Sequence, residues 1–256
     1  MAWSAEENTR SILAVMAHAA AAGVRFCVFP ELAVTGFHRQ IRTQAVPDLV
    51  QSCLQSVGEA CRQHALVAVL GAPTFGAEGR VFNSCVFIDE CGQLVGAIEK
   101  NGLTPAEETF FTRGALRPTM RLASHTCSAV LCREIDDLED VHAQLADTQV
   151  ELLFWPGAMR PAVDGSQPDP QAHVKKAQQL ARRTHAFIVQ ANWPNSLNYP
   201  DESVEAGRSV VVDPAGEVLL TLPTAEAGVA VFALGESTFE WHPQDAIAPP
   251  RRTCPT

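Results

Sequence analysis

The 256-residue sequence has no basic run: Lys and Arg number 19 against 29 Asp and Glu, a formal charge of -10. A nucleic-acid surface must neutralise phosphates, so nucleic acid is not an expected partner. No apolar stretch approaches the roughly 18 residues of a membrane helix, and the longest, Ala65 to Pro73, suits a buried strand. The opening residues, Met1-Ala2-Trp3-Ser4-Ala5-Glu6-Glu7, carry neither the positive start nor the apolar stretch of a signal peptide, so the expected location is the cytoplasm and no membrane association is expected. Cys-x-x-Cys is missing too. Without it a structural zinc site is not expected, and His125, His142, His173 and His185 show no ligand spacing, so neither a metal nor a cofactor is called for. The eight cysteines are sparse and most sit inside apolar runs, as small buried residues do.

What is present is a globular composition, 46% hydrophobic and 19% charged, with no polar linker inside it. One domain over residues 1–256 is expected, with an irregular Pro-rich tail from about residue 242. Ser4-x-x-Glu7 is a capping-box pattern, and Ile12, Met16 and Ala19 follow at helical spacing, so residues 4–22 read as an amphipathic helix. A strand at 25–29, a helix at about 48–64 and a strand at 66–70 come next. That alternation marks an α/β fold. Two strand-turn-strand units follow the same pattern, 81–88 with 93–99 and 209–212 with 217–222, each turning on Asp-x-x-Gly, which suggests two related halves. Between them lie strands at about 128–131, 151–155 and 187–191, a helix at about 171–185, and a final strand at 229–233 beyond the second hairpin.

In α/β sheets reactive groups collect beyond the carboxyl ends of strands. Glu31, Lys100 and Cys132 occupy three such positions. A cysteine nucleophile needs a base and gains from a cation; a carboxylate takes the thiol proton and returns it to a leaving amine, while an ammonium holds an oxyanion. Taken singly, each has a plainer reading: Cys132 as a small buried residue, Glu31 as a helix cap, Lys100 as a solvated lysine.

The surrounding segments resemble those of the nitrilase superfamily of carbon–nitrogen hydrolases. Phe29-Pro30-Glu31-Leu32-Ala33-Val34-Thr35-Gly36-Phe37 is similar to its glutamate segment. Residues 100–114 are similar to its lysine segment, at Lys100, Leu103, Pro105, Glu107, Phe110 and Gly114. Val130-Leu131-Cys132-Arg133-Glu134 resembles the nucleophile segment, and residues 181–192 and 207–216 resemble later family segments. The resemblance implies a four-layer α-β-β-α sandwich, commonly dimerised through a helical face, with Glu31 as general base, Lys100 as oxyanion stabiliser and Cys132 as nucleophile. It implies Glu107 as a second active-site carboxylate, and the Arg133 N–H as a second oxyanion donor.

Three departures from the family pattern stand out. No counterpart of the family's usual first strand is expected ahead of the helix that starts near residue 4, whether through a misassigned start, a truncation or a real loss, and its absence would leave a sheet edge open beside the 25–29 strand. Gly102 stands where many members have histidine, and Arg133 where many have an aromatic. Arg133 is a candidate substrate contact, or else an ion-pair partner of Glu134 or Asp136; Phe37 and Trp155 are candidate pocket walls, or else core. The activity implied is hydrolysis of a small non-peptide amide through a thioester, releasing ammonia or an amine. The alternatives are a carbamoyl (ureide) hydrolase, a nitrilase, and a catalytically silent binding or assembly relative.

Overall fold

Ser4 caps the first helix, its hydroxyl accepting the Glu7 N–H at 3.4 Å, and α1 runs Ala5–Ala21. The computed structural model describes residues 1–159, 171–198, 207–224 and 226–247. The first half continues through β1 (Phe26–Val28), α2 (Ile41–Gln44), α3 (Pro47–His64), β2 (Val67–Phe75), β3 (Val81–Ile88) and β4 (Leu94–Glu99). The second contains β5 (Met120–Leu122), β6 (His125–Ala129), α4 (Leu138–Leu145), β7 (Leu152–Gly157), α5 (Ala172–Thr184), β8 (Phe187–Asn192), β9 (Val210–Val212) and β10 (Val218–Thr221). A hairpin of β11 (Gly228–Val231) and β12 (Glu240–Pro243) leads into a helical turn, α6 (Gln244–Ile247). The chain is therefore still regular at 240–247, past the onset expected for the tail; residues 248–256 lie outside the described residues.

The strands form two main sheets, β1-β2-β3-β4 and β10-β9-β8-β7-β6-β5. Period-two alternation sorts their side chains into layers. On β2, Ala68, Leu70 and Ala72 face α1 and α3, where Ile12, Met16, Val57 and Cys61 meet them. Val67 and Val69, with Cys85, Phe87 and Ile98, face the other way onto Leu131, Leu152, Phe154 and Val211 of the second sheet. The far side of that sheet, Leu153, Trp155 and Ile188, packs on Val141, Val174, Ala177 and Leu180 of α4 and α5. Helices, sheet, sheet, helices: this is the α-β-β-α sandwich. The two Asp-x-x-Gly turns are built alike. Gly92 and Gly216 have φ of 79° and 82°; Asp89 Oδ1 accepts the Gln93 N–H at 2.7 Å and Asp213 Oδ1 the Glu217 N–H at 2.8 Å.

Among the described residues β1 has one strand neighbour, β2. Arg25, Cys27 and Phe29 turn their backbone groups toward β2: Arg25 O accepts from Val67 N at 2.8 Å and Phe29 N donates to Val69 O at 2.8 Å. Phe26 and Val28 therefore turn theirs outward. Outside them lies a mainly apolar cleft of about 760 Å³, walled by α1, β1 and β11, with Met1 and Ala2 at one end. Across it β11 also shows a free edge. The Gln244 N–H donates to Ala227 O at 2.8 Å, so Val229 and Val231 bond to β12 while Gly228 and Ala230 face away. The same register puts Pro243 opposite Gly228 in a non-hydrogen-bonded pair, where its missing N–H costs nothing.

Candidate active site

Glu31 lies in a tight loop beyond β1, pressed onto β2. Gly71 N donates to Pro30 O at 3.1 Å and Gly71 O accepts from Val34 N at 3.1 Å. A Cβ on Gly71 would sit 2.0 Å from Leu32 N and 2.6 Å from Glu31 C. Only glycine lets the loop come this close. Leu32 takes φ of 50°, a left-handed conformation held by the surrounding bonds, and the Trp193 indole N–H donates to Glu31 O at 2.8 Å. Lys100 follows β4 directly; its N–H donates to Asn83 O at 2.7 Å and its carbonyl accepts from Gly114 N at 2.9 Å. Gly114 is another close approach, since a Cβ there would lie 2.3 Å from Glu99 O.

Cys132 opens a single 3-10 turn, Cys132–Asp136, at φ of 49°. Its carbonyl accepts from the Trp155 indole N–H at 2.9 Å. Behind it, buried Glu134 accepts from Leu131 N at 2.8 Å through Oε2, and from Asn101 N at 2.6 Å and Gly102 N at 3.1 Å through Oε1. Buried Arg117 pairs with Glu134 at 3.0 Å and donates to Ala129 O. One ion pair thus ties the end of β6, the Cys132 turn and the loop after Lys100 together; both charges are hydrogen-bonded, as burial demands, although Arg117 Nε has no partner among the described residues.

The carboxylates and the ammonium meet around Lys100 Nζ, which donates to Glu31 Oε1 at 2.7 Å and Glu107 Oε1 at 2.6 Å. Glu31 and Lys100 are about as buried as side chains get, at 0% and 1% exposure. The two carboxylates are not equivalent. Glu107 Oε2 is taken by Thr104 N at 2.8 Å and Thr104 Oγ1 at 2.9 Å, so both its oxygens are engaged. Glu31 Oε2 is buried and makes no hydrogen bond among the described residues.

Burial alone would push the Lys100 ammonium down, but Glu31, Cys132 and Glu107 outweigh it and hold its pKa above the usual lysine value. Burial works against Glu107 as well, and there Lys100 and the Thr104 donors win, keeping the carboxyl below its usual range. Burial pushes the Cys132 thiol up to about 12; Glu31 adds to the shift, while Lys100 and the Ala158 N–H oppose it. At neutral pH the Cys132 sulfur is therefore a thiol, and any reaction through it would need a base.

The structure thus brings Glu31, Lys100 and Glu107 into direct contact, with Cys132 within electrostatic reach of all three. The flanking candidates are placed differently. Arg133 donates to Gly102 O at 3.3 Å and pairs with Asp137 at 3.5 Å, whereas Glu134 is taken by Arg117 and Asp136 by Lys176 at 2.8 Å. The Arg133 ion pair therefore differs from the Glu134 or Asp136 pairing expected from the sequence. Trp155 is fully buried in the core against α4 and α5 while its indole holds the Cys132 carbonyl. Phe37 packs on the cluster of Leu32, Ile41, Leu103 and Phe111.

Sequence reasoning passed over Asn83, whose Nδ2 donates to Glu31 Oε1 at 2.8 Å and lies 3.4 Å from Glu107 Oε1. Its signal was an Asn-Ser pair inside the apolar run Val81-Phe82-Asn83-Ser84-Cys85-Val86-Phe87-Ile88. Among the described residues no group of His, Cys, Asp and Glu is arranged to hold a metal ion, and no helix is long and apolar enough to cross a membrane.

The model of the carbon-nitrogen hydrolase family matches residues 1–242, and the chain belongs to that family. Comparison with curated proteins finds no match. Among solved structures, a glutamine-dependent NAD+ synthetase from Acinetobacter baumannii superposes with a TM-score of 0.76 at 21% identity, covering 87% of this chain; the chain spans only 41% of the synthetase. A mutant amidase from Nesterenkonia sp. AN1, with acrylamide added at its active-site cysteine, gives a TM-score of 0.75 at 22% identity over 88% of this chain and 86% of its own. Another structure of an amidase from Nesterenkonia sp. matches at 0.75 and 21%, over 98% and 89%. At these identities the likeness is one of fold.

Proposed function

We propose that the chain hydrolyses a small non-peptide amide through a thioester on Cys132, with Glu31 as base and Lys100 as oxyanion stabiliser. The observation that carries this reading is the half-engaged Glu31 carboxylate: Oε1 is saturated by Lys100 and Asn83, buried Oε2 has no hydrogen-bond partner among the described residues, and the Cys132 thiol lies within electrostatic reach.

In the first half-reaction Glu31 Oε2 takes the Cys132 proton as Sγ attacks the amide carbonyl carbon. The carbonyl π electrons move to oxygen, and the resulting oxyanion meets the Lys100 ammonium, whose three N–H donors include one not committed to Glu31 or Glu107. The backbone N–H of Arg133 is a second donor candidate there. As the tetrahedral intermediate collapses, the C–N bond breaks and protonated Glu31 gives its proton to the leaving nitrogen, which departs as ammonia or an amine. Water then enters, Glu31 removes one of its protons, and the second tetrahedral intermediate releases the acid and returns the proton to sulfur. Glu107, bonded on both oxygens, holds Lys100 in place and takes no part in proton transfer.

The test is the mass of intact protein after exposure to a panel of small amides, ureides and nitriles. An acyl adduct on Cys132, absent from Cys132→Ala, supports the reading; a carbamoyl adduct formed only with ureides would favour the carbamoyl hydrolase. A Cys132→Ala variant that keeps full turnover would place the chemistry elsewhere.

A further inference from the structure

We infer that Asn83 is a positioning residue that commits one oxygen of Glu31 to the buried network and so presents the other to the Cys132 thiol. The inference rests on Glu31 being the base. Four atoms make a closed arrangement: Glu31 Oε1 and Glu107 Oε1 are each approached by Lys100 Nζ, at 2.7 and 2.6 Å, and by Asn83 Nδ2, at 2.8 and 3.4 Å. Two carboxylates this close repel; Thr104 fixes Glu107 through its other oxygen, but one ammonium alone would leave Glu31 free to turn about its terminal torsion, which is broad and roughly two-fold. A second donor on the same oxygen removes that freedom. A neutral donor does so without a second cation, which would compete for the negative charge that Glu31 needs as a base.

The orientation of the Asn83 carboxamide is forced. Flipping it would aim its oxygen at two carboxylates, so the nitrogen must face them. The consequence is visible on its other end: Asn83 Oδ1 is buried and has no hydrogen-bond partner among the described residues. Leaving a buried acceptor bare is unfavourable, and packing alone gives no reason for a carboxamide here, since its neighbours along β3 include Phe82 and Cys85. The residue is also anchored through its backbone, because Asn83 O accepts the Lys100 N–H at 2.7 Å. One residue of β3 therefore sets the depth of Lys100 through its main chain and the rotation of Glu31 through its side chain. Without the Nδ2 donor, Glu31 is free to turn both oxygens onto Lys100, and Oε2 is withdrawn from the thiol.

The experiment follows alkylation of Cys132 by iodoacetamide across pH 6 to 11, read by mass on the peptide that carries Cys132 because Cys91 is free and exposed, so that no natural substrate is needed. Asn83→Ala and the isosteric Asn83→Asp are compared with wild type and Glu31→Gln, and thermal unfolding identifies a variant that fails to fold; Asn83→Asp, which preserves shape, covers that case. General-base assistance contributes on the order of 10² or more in rate, so both Asn83 variants should alkylate about tenfold or more slowly near pH 7. The gap should close toward pH 11, where hydroxide removes the thiol proton directly. A wild-type rate at every pH, or slowing by one constant factor at every pH, overturns the inference, because altered packing or access has no reason to vanish with alkali. If Glu31→Gln itself alkylates at the wild-type rate and pH dependence, the assignment of Glu31 as base fails, and the role of Asn83 with it.

Discussion

Replacing Gly71 by alanine should damage the active site out of proportion to the single methyl it adds. The new Cβ would stand 2.0 Å from Leu32 N, 2.6 Å from Glu31 C and 2.6 Å from Pro30 O, all backbone atoms. Real Cβ atoms essentially never come within 3.0 Å of such neighbours, so the loop must retreat by about 1 Å or the strand must bend. Overpacking of this kind costs about 1–3 kcal/mol, which in a protein of this size lowers Tm by roughly 2–12 °C. The catalytic cost should be larger, because the retreating backbone carries Glu31, and a displacement of about 1 Å in a reacting group costs on the order of 10² in rate. The assay pairs thermal unfolding with the rate of Cys132 alkylation near pH 7. Gly79→Ala is the control: that glycine has a positive φ, 73°, but a Cβ on it would meet nothing within 4 Å, so it should lose a little stability and no reactivity. Alkylation at the wild-type rate in a folded Gly71→Ala would refute the idea that this contact sets the position of Glu31.

Three further expectations concern the same framework. Lys100→Met should lower the rate of acyl-adduct formation by 10² or more while adduct still forms only on Cys132, since an oxyanion contact is lost and the nucleophile is kept; an unchanged single-turnover rate would remove Lys100 from the oxyanion role. Glu107, its pKa held below the ordinary 4.5 by Lys100 and Thr104 against the opposing effect of burial, contributes stability that is complete above 4.5 and is lost as pH falls through the lower folded value. Glu107→Gln should therefore be less stable at neutral pH and show a shallower loss between about pH 5 and 3, measured by urea unfolding at each pH; an equally steep acid limb would contradict this. Finally, an extended apolar segment of about six residues joined ahead of Met1 should raise Tm, because it can pair with Phe26 and Val28, fill the 760 Å³ cleft and convert a buried terminal amine, whose pKa burial pushes down, into an amide. An extended form with an unchanged melting temperature would show the cleft to be self-sufficient.

Much of the fold is written in local pattern. Ser4 and Glu7 mark the start of α1, and the paired Asp-x-x-Gly turns mark matching hairpins in the two sheets, because capping and left-handed glycine are properties of a few adjacent residues. Short elements were not legible. The three residues of β5 and the eight of α4 offer too few turns or alternations to stand out, and β12 was hidden by Pro243, whose tolerance depends on register with β11. At the site, Glu31, Lys100, Glu107 and Cys132 were recognisable from their segments, whereas the parts that orient them were not. Gly71 matters through a contact with a loop some 40 residues away in the chain, and Asn83 through one with Glu31, 52 positions earlier. The ion-pair partner of Arg133 is Asp137 and neither Glu134 nor Asp136, because the 3-10 turn after Cys132 decides which acid faces the guanidinium.

The open edge of β1 has a consequence in time as well as in space. Amide protons locked in a ladder exchange with solvent only when the ladder opens, whereas those facing a water-accessible groove exchange without any unfolding. Along β1 and the residue after it the two kinds alternate: Cys27 and Phe29 point into the bonded side, Phe26 and Val28 into the cleft. Deuterium uptake resolved by residue should accordingly be fast, slow, fast, slow from Phe26 to Phe29, a two-residue rhythm inside a segment that sits against the core. Any molecule that seats itself along β1 would slow the fast pair and leave the slow pair unchanged, so the exchange rates of Phe26 and Val28 report directly on whether that groove is occupied.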